Sequence, residues 1–341
     1  MRRKFKIAII SKLWEETSEL STGGSGMSVG TLVNGLVERG HQVTLFATGN
    51  SKSKAQKLVS IKDRPYKGDY SEIKEYQNIY NAFKIADQFD IIHAHVEHKA
   101  CFFAPLVETP VLVSIRYGGI FKDEVELLME NNNLNYCFNS KILEKKYSFL
   151  KSRGVVYNGI NLDNYVFNNN PKDYLLFLGR VSPQKGPHLA IRAAKKLNRK
   201  LIIAGKTENI DKQYLDKYVW PYIDGKQIIY KGLVGLKEKR RLLSAAYVLL
   251  QPNLFFEACS NTILEAQASG TPVVAFDNGS NRDIIKNGKT GFIASERNLV
   301  DKIRQVEKIK RSICREWIEK NFSKEKMVDG YEKIYEKILI C

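Results

Sequence analysis

The stretch from residue 248 to residue 276, VLLQPNLFFEACSNTILEAQASGTPVVAF, contains a complete strand–loop–helix–strand pattern. Its two ends, VLLQP and TPVVAF, are short apolar runs typical of buried strands, and Asn261 to Gly270 is typical of a helix. Such an alternation predicts one repeating unit of a parallel α/β sheet. Two carboxylates stand out, because Glu257 follows the first strand and Glu265 lies one turn into the helix.

The same alternation continues on both sides of this stretch. Strand-like runs are at 5–10, 41–48, 90–96, 110–116, 135–140, 154–160, 174–180, 200–205 and 226–232, and helical patterns are at 26–40, 76–89, 141–151 and 186–197. The Asn-rich segment NLDNYVFNNNPKD (161–173) separates two such series and is the linker candidate. The pattern predicts an α/β protein of two doubly wound, Rossmann-like domains that face each other across a central cleft. We place them at 1–165 and 166–322, followed by a final helix at 323–341.

Composition indicates a globular chain without a membrane-spanning segment. Of the 341 residues, 43% are hydrophobic and 27% charged, a balance typical of globular domains. No apolar run approaches the roughly 18 residues of a spanning helix. Lys12 interrupts the N-terminal run MRRKFKIAIISKLWEE, so we interpret it as a strand rather than a secretory leader. The five cysteines are scattered without a C-x-x-C pair, which argues against a disulfide framework or a structural zinc site and for a cytoplasmic location.

The formal charge is +17, and the basic excess lies mainly in the second half of the chain. It is concentrated in RAAKKLNRK (192–200), KEKRR (237–241) and the Lys-rich C-terminus. A polyanionic partner, an anionic membrane surface or solvated lysine-rich helix faces would each account for it, and we favour the last. No nucleic-acid-binding motif accompanies the charge, so nucleic acid is not an expected partner.

Two cations follow the first strand of the second domain. In GRVSPQKG (179–186), Arg180 and Lys185 share one short loop at the carboxyl end of the strand. Parallel sheets bind ligands at such ends, and two cations there suit a diphosphate and the negative charge that develops as it leaves. The alternative is a pair of solvated loop cations.

The helix that begins near Asn261 supplies a second anion-binding feature. Backbone amides at Asn261 and Thr262, together with the helix dipole, suit a phosphate. Glu265 is then placed to accept hydrogen bonds from ribose hydroxyls, and Glu257 from hydroxyls of a transferred sugar. Thr262 and Glu265 also match a capping box, and Glu257 alone would be an exposed loop acid. Together with the two cations at a matching strand end, these residues favour a cradle for a nucleoside diphosphate and its sugar.

These motifs resemble those of the retaining family 4 glycosyltransferases, the glycosyl transferases group 1, which have the GT-B fold. The E-x7-E signature of that family is matched by EACSNTILE, in which Glu257 and Glu265 are the two acids. The resemblance covers nearly the whole chain. It includes STGGSG (21–26), ERGHQVTLFATG (38–49), VVYNGINLDNY (155–165), YLLFLGRVSPQKGPHLAIRAA (174–194), LIIAGK (201–206) and NGKTGFI (287–293).

The resemblance implies roles for particular residues. Arg180 and Lys185 would bind the donor diphosphate, Glu265 the ribose and Glu257 the donor sugar. The glycine-rich loop, here Gly23 and Gly24, would lie by the phosphates and the acceptor. The C-terminal helix would cross back to the first domain.

The resemblance also implies a reaction. A sugar, glucose or a similar hexose, would move from a UDP-linked donor to a hydroxyl of a glycan, lipid or protein-linked acceptor. The anomeric configuration would be retained by front-face attack, with the departing diphosphate helping to deprotonate the incoming hydroxyl. Neither a metal nor any cofactor besides the donor substrate is expected, and no D-x-D sequence occurs. Contact with an anionic inner membrane face stays open as the alternative to solvated helix faces for the basic surface.

One residue departs from the family pattern. Members often carry a His, which contacts the donor sugar, after the strand that matches PVLVSIR, and this chain has Arg116 there. A cation at that position suits a charged sugar or an acidic acceptor. Earlier in the chain, His93 and His95 alternate along a strand and so share a face. With His98 and Glu97 they resemble a zinc cluster, but we interpret His95 as a residue near the acceptor.

The candidate catalytic residues are therefore Glu257, Arg180, Lys185, His95 and Arg116. Two alternatives stay open. One is a nucleotide-sugar epimerase or phosphorylase on the same fold, and the other is a non-catalytic nucleotide-sugar-binding subunit, which the missing His favours. The acceptor is not identified by any motif, and we expect its recognition by first-domain loops around 11–25, 50–75 and 116–133.

Overall fold

The computed structural model describes residues 3–66, 69–119 and 121–340, with the side chain of residue 340 left out. Residues 67, 68 and 120, which belong to two of the predicted acceptor loops, lie outside the described part. The chain divides into two compact units, Met1–Asn161 with Ser323–Cys341, and Leu162–Phe322. Each unit is built on a parallel sheet with helices, so the predicted fold class of two Rossmann-like α/β domains is confirmed.

The first unit contains a sheet with seven strands among the described residues. They are β1 (Lys6–Ile10), β2 (Gln42–Phe46), β3 (Lys57–Val59), β4 (Ile91–Ala94), β5 (Val111–Ile115), β6 (Asn135–Phe138) and β7 (Ser152–Val155). The order is β3-β2-β1-β4-β5-β6-β7, and every pair is parallel. Continuous apolar runs such as VLVSI form these strands because a parallel sheet is covered on both faces.

The helices of the first unit come from both ends of the chain. They are α1 (Gly24–Glu38), α2 (Glu72–Phe83), α3 (Lys122–Glu130), α4 (Lys141–Lys146) and α12 (Lys324–Ile340). Tyr331 and Tyr335 of α12 join the core formed by β1 and α1, which includes Ile7 and Leu36. The C-terminal helix is therefore an integral part of the first hydrophobic core.

The second unit contains a sheet with six strands within its described range. They are β8 (Tyr174–Leu178), β9 (Lys200–Ala204), β10 (Ile228–Tyr230), β11 (Val248–Gln251), β12 (Val273–Phe276) and β13 (Gly291–Ala294). The order is β10-β9-β8-β11-β12-β13, again all parallel. Its helices are α5 (Pro187–Leu197), α6 (Lys212–Tyr218), α7 (Leu236–Ala245), α8 (Asn261–Ala268), α9 (Asn281–Ile284), α10 (Leu299–Gln305) and α11 (Arg311–Asn321).

The predicted elements differ from the observed ones mainly at their ends. The helix predicted over 76–89 begins earlier, at Glu72, because the Ser71 side chain caps it by accepting from the amide of Lys74. The helix predicted over 141–151 ends at Lys146. The short strands β3 and β13 were not predicted as strands, since three or four residues are too few to establish a period.

The described residues also bear on the predictions about membrane-spanning segments and disulfides. Among the described residues, no helix combines the length and the apolar character required to cross a bilayer. Cys101, Cys137, Cys259 and Cys314 are buried and form no disulfide with one another, and the fifth cysteine lies outside the described residues.

Both sheets reverse their strand order beside their first strand. In the first unit β1 lies between β2 and β4, and in the second β8 lies between β9 and β11. At such a reversal the following connections leave in opposite directions, which opens a crevice at the carboxyl ends of the two central strands. The loops after β8 and β11, and after β1 and β4, are therefore where a ligand site is expected in each unit.

Candidate active site

The loops after β8 and β11 are joined directly through their backbones. The amide of Leu254 donates to the carbonyl of Gln184 at 2.8 Å. Gly186 has a φ of +70°, and a Cβ there would lie 2.3 Å from the carbonyl oxygen of Pro252. Only glycine allows this approach, so the predicted cation loop is held against the loop that carries the first signature glutamate.

Lys185 and Glu257 form an ion pair across this junction. Nζ of Lys185 lies 2.7 Å from Oε2 of Glu257, with side-chain exposures of 22% and 16%. Asn253 donates to the same oxygen at 3.1 Å, and the amide of Ser280 donates to the Glu257 carbonyl at 2.9 Å. Nζ of Lys185 also lies 4.4 Å from the ring centroid of Phe255. Glu257 is thus a clamped, mostly buried carboxylate rather than an exposed loop acid.

Arg180 occupies the more open side of the same edge. Its guanidinium donates to Glu208 at 3.2 Å and to Gln184 at 3.0 Å. Lys206 lies 2.8 Å from the other oxygen of Glu208, and the hydrogen bond from Lys206 is the largest of the causes that lower the pKa of Glu208. Sequence reasoning missed Lys206 and Glu208, although both follow the predicted strand KLIIAG at its carboxyl end.

The signature helix α8 begins at Asn261, with Ser260 as its N-cap residue. Asn261 and Thr262 are thus its first two residues, as predicted. The capping-box alternative is wrong, because Thr262 already lies inside the helix and the Glu265 carboxylate is engaged elsewhere. Glu265 is 1% exposed, and its Oε1 accepts from the hydroxyl of Tyr165 at 2.8 Å and from Nζ of Lys239 at 2.6 Å.

Tyr165 and Lys239 are two site residues that sequence reasoning missed. Tyr165 lies in the segment interpreted as a polar linker, yet it is 5% exposed. Lys239 belongs to the run KEKRR, interpreted as a solvated face, yet it is 9% exposed. The sequence does indicate that Lys239 faces the interior, because it lies three residues from both Leu236 and Leu242, on the apolar side of α7.

The glycine-rich loop of the first unit is occupied by a side chain of the chain itself. The carboxylate of Glu15 accepts hydrogen bonds from the amides of Ser25 and Gly26 at the start of α1, and burial raises the pKa of this carboxyl. A Cβ at Gly23 would lie 1.3 Å from Oε2 of Glu15. The glycine therefore makes room for the carboxylate, while contact of Gly23 and Gly24 with a phosphate stays a prediction.

The three histidines in and just after β4 lie in different environments. His93 is enclosed, since its ring nitrogens lie 2.7 Å from the hydroxyls of Tyr335 and Ser114, and burial lowers its pKa to about 3. His95 is fully buried with a pKa well below its ordinary value, and neither ring nitrogen has a partner among the described residues. His98 lies 3.4 Å from Glu124. Within the described ranges, no group of three or more His, Cys, Asp or Glu residues is arranged to hold a metal ion.

The other strand ends of the first unit carry charged groups. Lys12, which follows β1, lies 2.5 Å from Oε2 of Glu97, which follows β4. Glu97 has a φ of +48°, an unfavourable backbone conformation for this residue type. Arg116 follows β5 and donates to Oδ1 of Asn158 at 2.7 Å. The position that departs from the family pattern is therefore a guanidinium held by an amide side chain.

Comparison with known proteins identifies the chain. The family model described as glycosyl transferases group 1 matches residues 163–324, and that of glycosyltransferase family 4 matches residues 22–114. An uncharacterized glycosyltransferase of Methanocaldococcus jannaschii is 25% identical, with 86% of each chain covered. A glycogen synthase of Mycobacterium tuberculosis is 27% identical over 62% of this chain and 57% of its own length.

Solved structures establish the fold. Sucrose-phosphate synthase from Thermosynechococcus elongatus superposes with a TM-score of 0.82 at 17% identity, covering 99% of this chain and 100% of the other. HepE of Anabaena, in complex with UDP-glucose, gives 0.75 at 16% identity over 99% and 100% of the two chains. On the family matches and the two Rossmann-like sheets together, the chain belongs to the group 1, family 4-type glycosyltransferases of GT-B fold and is a transferase.

Proposed function

We propose that this enzyme is a retaining, metal-independent glycosyltransferase that moves glucose or a similar hexose from a UDP-linked donor to a hydroxyl acceptor in glycan or glycoconjugate synthesis. The observation that carries the proposal is the Lys185–Glu257 pair, 2.7 Å apart at the strand-order reversal of the second unit. It joins a cation suited to a diphosphate with a carboxylate suited to sugar hydroxyls at the place where such sheets bind ligands.

The diphosphate is assigned to Arg180, Lys185 and the first amides of α8 at Asn261 and Thr262. Both cations are paired with carboxylates, but Arg180 is 37% and Lys185 22% exposed in their side chains. The more exposed Arg180–Glu208 pair is of the weak, solvated kind, so a dianionic ligand displaces that carboxylate at little cost, whereas Lys185 leaves the less exposed Glu257 only as sugar hydroxyls replace it. Two cations and a helix N-terminus then stabilise the charge that develops on the leaving group.

The two signature glutamates are assigned to the neutral parts of the donor. Glu257 accepts hydrogen bonds from hydroxyls of the transferred sugar once Lys185 turns to the phosphate. Glu265 accepts from the ribose, because its buried Oε2 has no hydrogen-bond partner in the described part of the chain. A buried carboxylate oxygen without a donor is costly, and a ligand hydroxyl satisfies it.

Acceptor recognition is assigned to the first unit. His95 and Arg116 follow adjacent strands, β4 and β5, and the pKa of His95 well below its ordinary value keeps the imidazole neutral. The acceptor proton passes to the departing diphosphate, so no protein base is required in this scheme. Arg116 in place of the usual His suits an acceptor or donor sugar that bears an anionic group.

Relatives support a hexose and a uridine nucleotide as starting hypotheses. HepE of Anabaena binds UDP-glucose, and a lipopolysaccharide outer core galactosyltransferase also shares the fold. We further propose a cytoplasmic enzyme, with contact between its basic surface and an anionic membrane as the alternative to solvated helix faces. Sedimentation with anionic vesicles at low salt tests that contact, and absence of binding there contradicts it.

The test of the donor site is a thermal-shift panel with UDP, GDP, ADP, CDP and their sugars. One nucleotide is expected to raise the melting temperature, by an amount that grows with the logarithm of its affinity, and Lys185→Ala and Glu265→Ala are expected to abolish the shift. Lys324→Ala is the matched control, because Lys324 pairs with Glu38 in the first unit. No shift with any nucleotide contradicts the proposed function.

Turnover assays distinguish a transferase from an epimerase and from a non-catalytic binding subunit. A transferase hydrolyses the donor slowly without acceptor and releases a sugar whose anomeric configuration is retained, which NMR detects. Conversion of the free nucleotide-sugar to its epimer would instead indicate an epimerase. Donor binding with no hydrolysis and no transfer across an acceptor panel would indicate a non-catalytic binding subunit.

A further inference from the structure

The two oxygens of the Glu265 carboxylate are in different environments. Oε1 accepts two hydrogen bonds, from Tyr165 at 2.8 Å and Lys239 at 2.6 Å. Oε2 is equally buried and has no partner among the residues described. Two donors on one oxygen and none on the other is an asymmetric arrangement for a charged group that is 1% exposed. The asymmetry points to a donor that arrives with a ligand.

Three separate segments meet at this carboxylate, and two of them hold it in one orientation. Lys239 comes from α7, Glu265 from α8, and Tyr165 from the segment that precedes β8, 100 residues earlier in the chain than Glu265. Tyr165 is itself anchored, because the guanidinium of Arg315 donates to its carbonyl at 2.9 Å and to the carbonyl of Ala268 at 2.8 Å. The side chain of Glu265 therefore cannot rotate without breaking contacts to two elements.

A lysine–glutamate pair in the first unit shows what a purely structural arrangement looks like. Lys324 is as buried as Lys239, with 11% side-chain exposure in each case. Its partner Glu38 is 35% exposed, and each of its oxygens has its own lysine, Lys54 on Oε1 and Lys324 on Oε2. That pair ties α12 to α1 and leaves no oxygen free. Glu265 differs in both properties, because it is only 1% exposed and its Oε2 has no partner among the residues described.

We propose that Lys239 and Tyr165 are positioning residues that hold Oε1 of Glu265 so that Oε2 faces a ribose hydroxyl of the donor nucleotide. The proposal rests on the proposed function, since it assumes a nucleoside-diphosphate donor. Oε2 of Glu265 then accepts a hydrogen bond from a hydroxyl of the ribose. The enzyme consequently selects ribonucleotides over nucleotides that lack the 2′ or the 3′ hydroxyl.

The experiment is a calorimetric binding matrix. UDP, GDP and ADP are each compared with their 2′-deoxy and 3′-deoxy counterparts on the wild-type chain and on Lys239→Met, Tyr165→Phe and Glu265→Gln. Lys239→Met keeps the apolar stem of the lysine and Tyr165→Phe keeps the ring, so the packing is preserved. Lys324→Met is the matched control, and thermal unfolding of every variant verifies folding.

For the wild type we expect a ribonucleotide to bind on the order of 10- to 100-fold more tightly than one of its deoxy counterparts, the range for a hydrogen bond to a charged group. In Lys239→Met and Glu265→Gln the ratio of ribonucleotide affinity to deoxynucleotide affinity should fall towards 1, because ribonucleotide affinity falls while deoxynucleotide affinity is unchanged. Tyr165→Phe should lower the ratio less, Lys239→Arg should restore part of it, and Lys324→Met should leave it unaltered.

Several outcomes overturn the proposal. An equal loss of affinity for ribo- and deoxynucleotides in Lys239→Met would indicate a structural role only. A wild-type ratio near 1 for both deoxy series would show that Glu265 reads no ribose hydroxyl, although nucleotide binding itself would stand. Absence of binding by every nucleotide would remove the proposed function along with it. If Lys239→Met does not fold, Tyr165→Phe alone decides, and an unchanged ratio there contradicts positioning.

Discussion

The two units place the same kind of ion pair at the same point of their sheets. In the first, Lys12 after β1 lies 2.5 Å from Glu97 after β4, and in the second, Lys185 after β8 lies 2.7 Å from Glu257 after β11. Each pair spans the reversal of strand order. Doubly wound topology thus brings a lysine and a glutamate together twice, from loops that are distant in sequence.

The units differ in what occupies the helix N-terminus beside that reversal. At the start of α1 the amides of Ser25 and Gly26 are bonded by Glu15. At the start of α8, Ser260 is the N-cap, and the signature acid one turn into the helix, Glu265, contacts Tyr165 and Lys239 instead of the helix amides. A helix N-terminus attracts anions. An internal carboxylate meets that demand in the first unit, whereas in the second we assign the proposed diphosphate to this terminus.

The largest expected effect tests whether the two lysines are equivalent. Lys185→Ala should weaken binding of the nucleoside diphosphate on the order of 100-fold, because a charge-assisted contact to phosphate is lost. Lys12→Ala should change it by less than about threefold. Titration calorimetry measures both, with the nucleotide that gives the largest thermal shift. Equal losses in the two variants would mean that both pairs contact the nucleotide.

A second prediction concerns the carboxylate at the start of α1. Gly23→Ala should destabilise the folded chain by about 1–3 kcal/mol, because the added methyl group overlaps Glu15. In a Glu15→Ala background the same change should cost less than about 0.5 kcal/mol, which gives a large coupling energy. Urea denaturation of the four chains of this cycle measures it. Additive losses would show that Glu15 does not occupy this position in solution.

Acid should destabilise the first unit more than the second, because His93 is buried and neutral in the first unit. Its pKa of about 3 lies below the unfolded value of 6.5. The stabilising contribution is therefore complete above pH 6.5 and is lost as the pH falls from 6.5 towards 3. Between pH 6.5 and 5.5 the free energy of unfolding should fall by about 1 kcal/mol more in the wild type than in His93→Gln.

Urea denaturation followed by circular dichroism at the two pH values checks this prediction. His188→Gln in the second unit is the comparison variant: burial also lowers the pKa of His188, but this residue is only half-buried, so a smaller change than in His93→Gln is expected. Parallel pH dependence of wild type and His93→Gln would place the acid sensitivity in other groups.

The smallest effect tests whether the α1 terminus becomes an anion site when it is vacated. In a Lys185→Ala background, Glu15→Ala should gain stabilisation from inorganic phosphate of about 0.4 kcal/mol when the phosphate concentration equals the dissociation constant. The parent chain should gain less. Thermal unfolding at constant ionic strength measures the stabilisation of both chains by phosphate. Equal stabilisation of the two chains would show that removing the Glu15 carboxylate does not make the amides of Ser25 and Gly26 available to an anion.

Much of the fold and part of the candidate site could be predicted from the sequence. Apolar runs of four to seven residues alternating with amphipathic segments indicated two parallel-sheet units, because strands covered on both faces are apolar throughout. Arg180, Lys185 and Glu257 were placed correctly at the carboxyl edge, since their positions depend only on where strands end. Local spacing was enough for these conclusions.

What only the tertiary structure decided is which groups meet. Tyr165 looked like part of a linker and Lys239 like a solvated cation, and both converge on Glu265. The spacing of Thr262 and Glu265 matched a capping box, but the helix begins one residue before Thr262. Glu15 reached α1 across an intervening loop. Sequence patterns report neighbours along the chain, whereas the partner of a buried charge is set by packing between elements, because burial makes an unpaired charge too costly to leave.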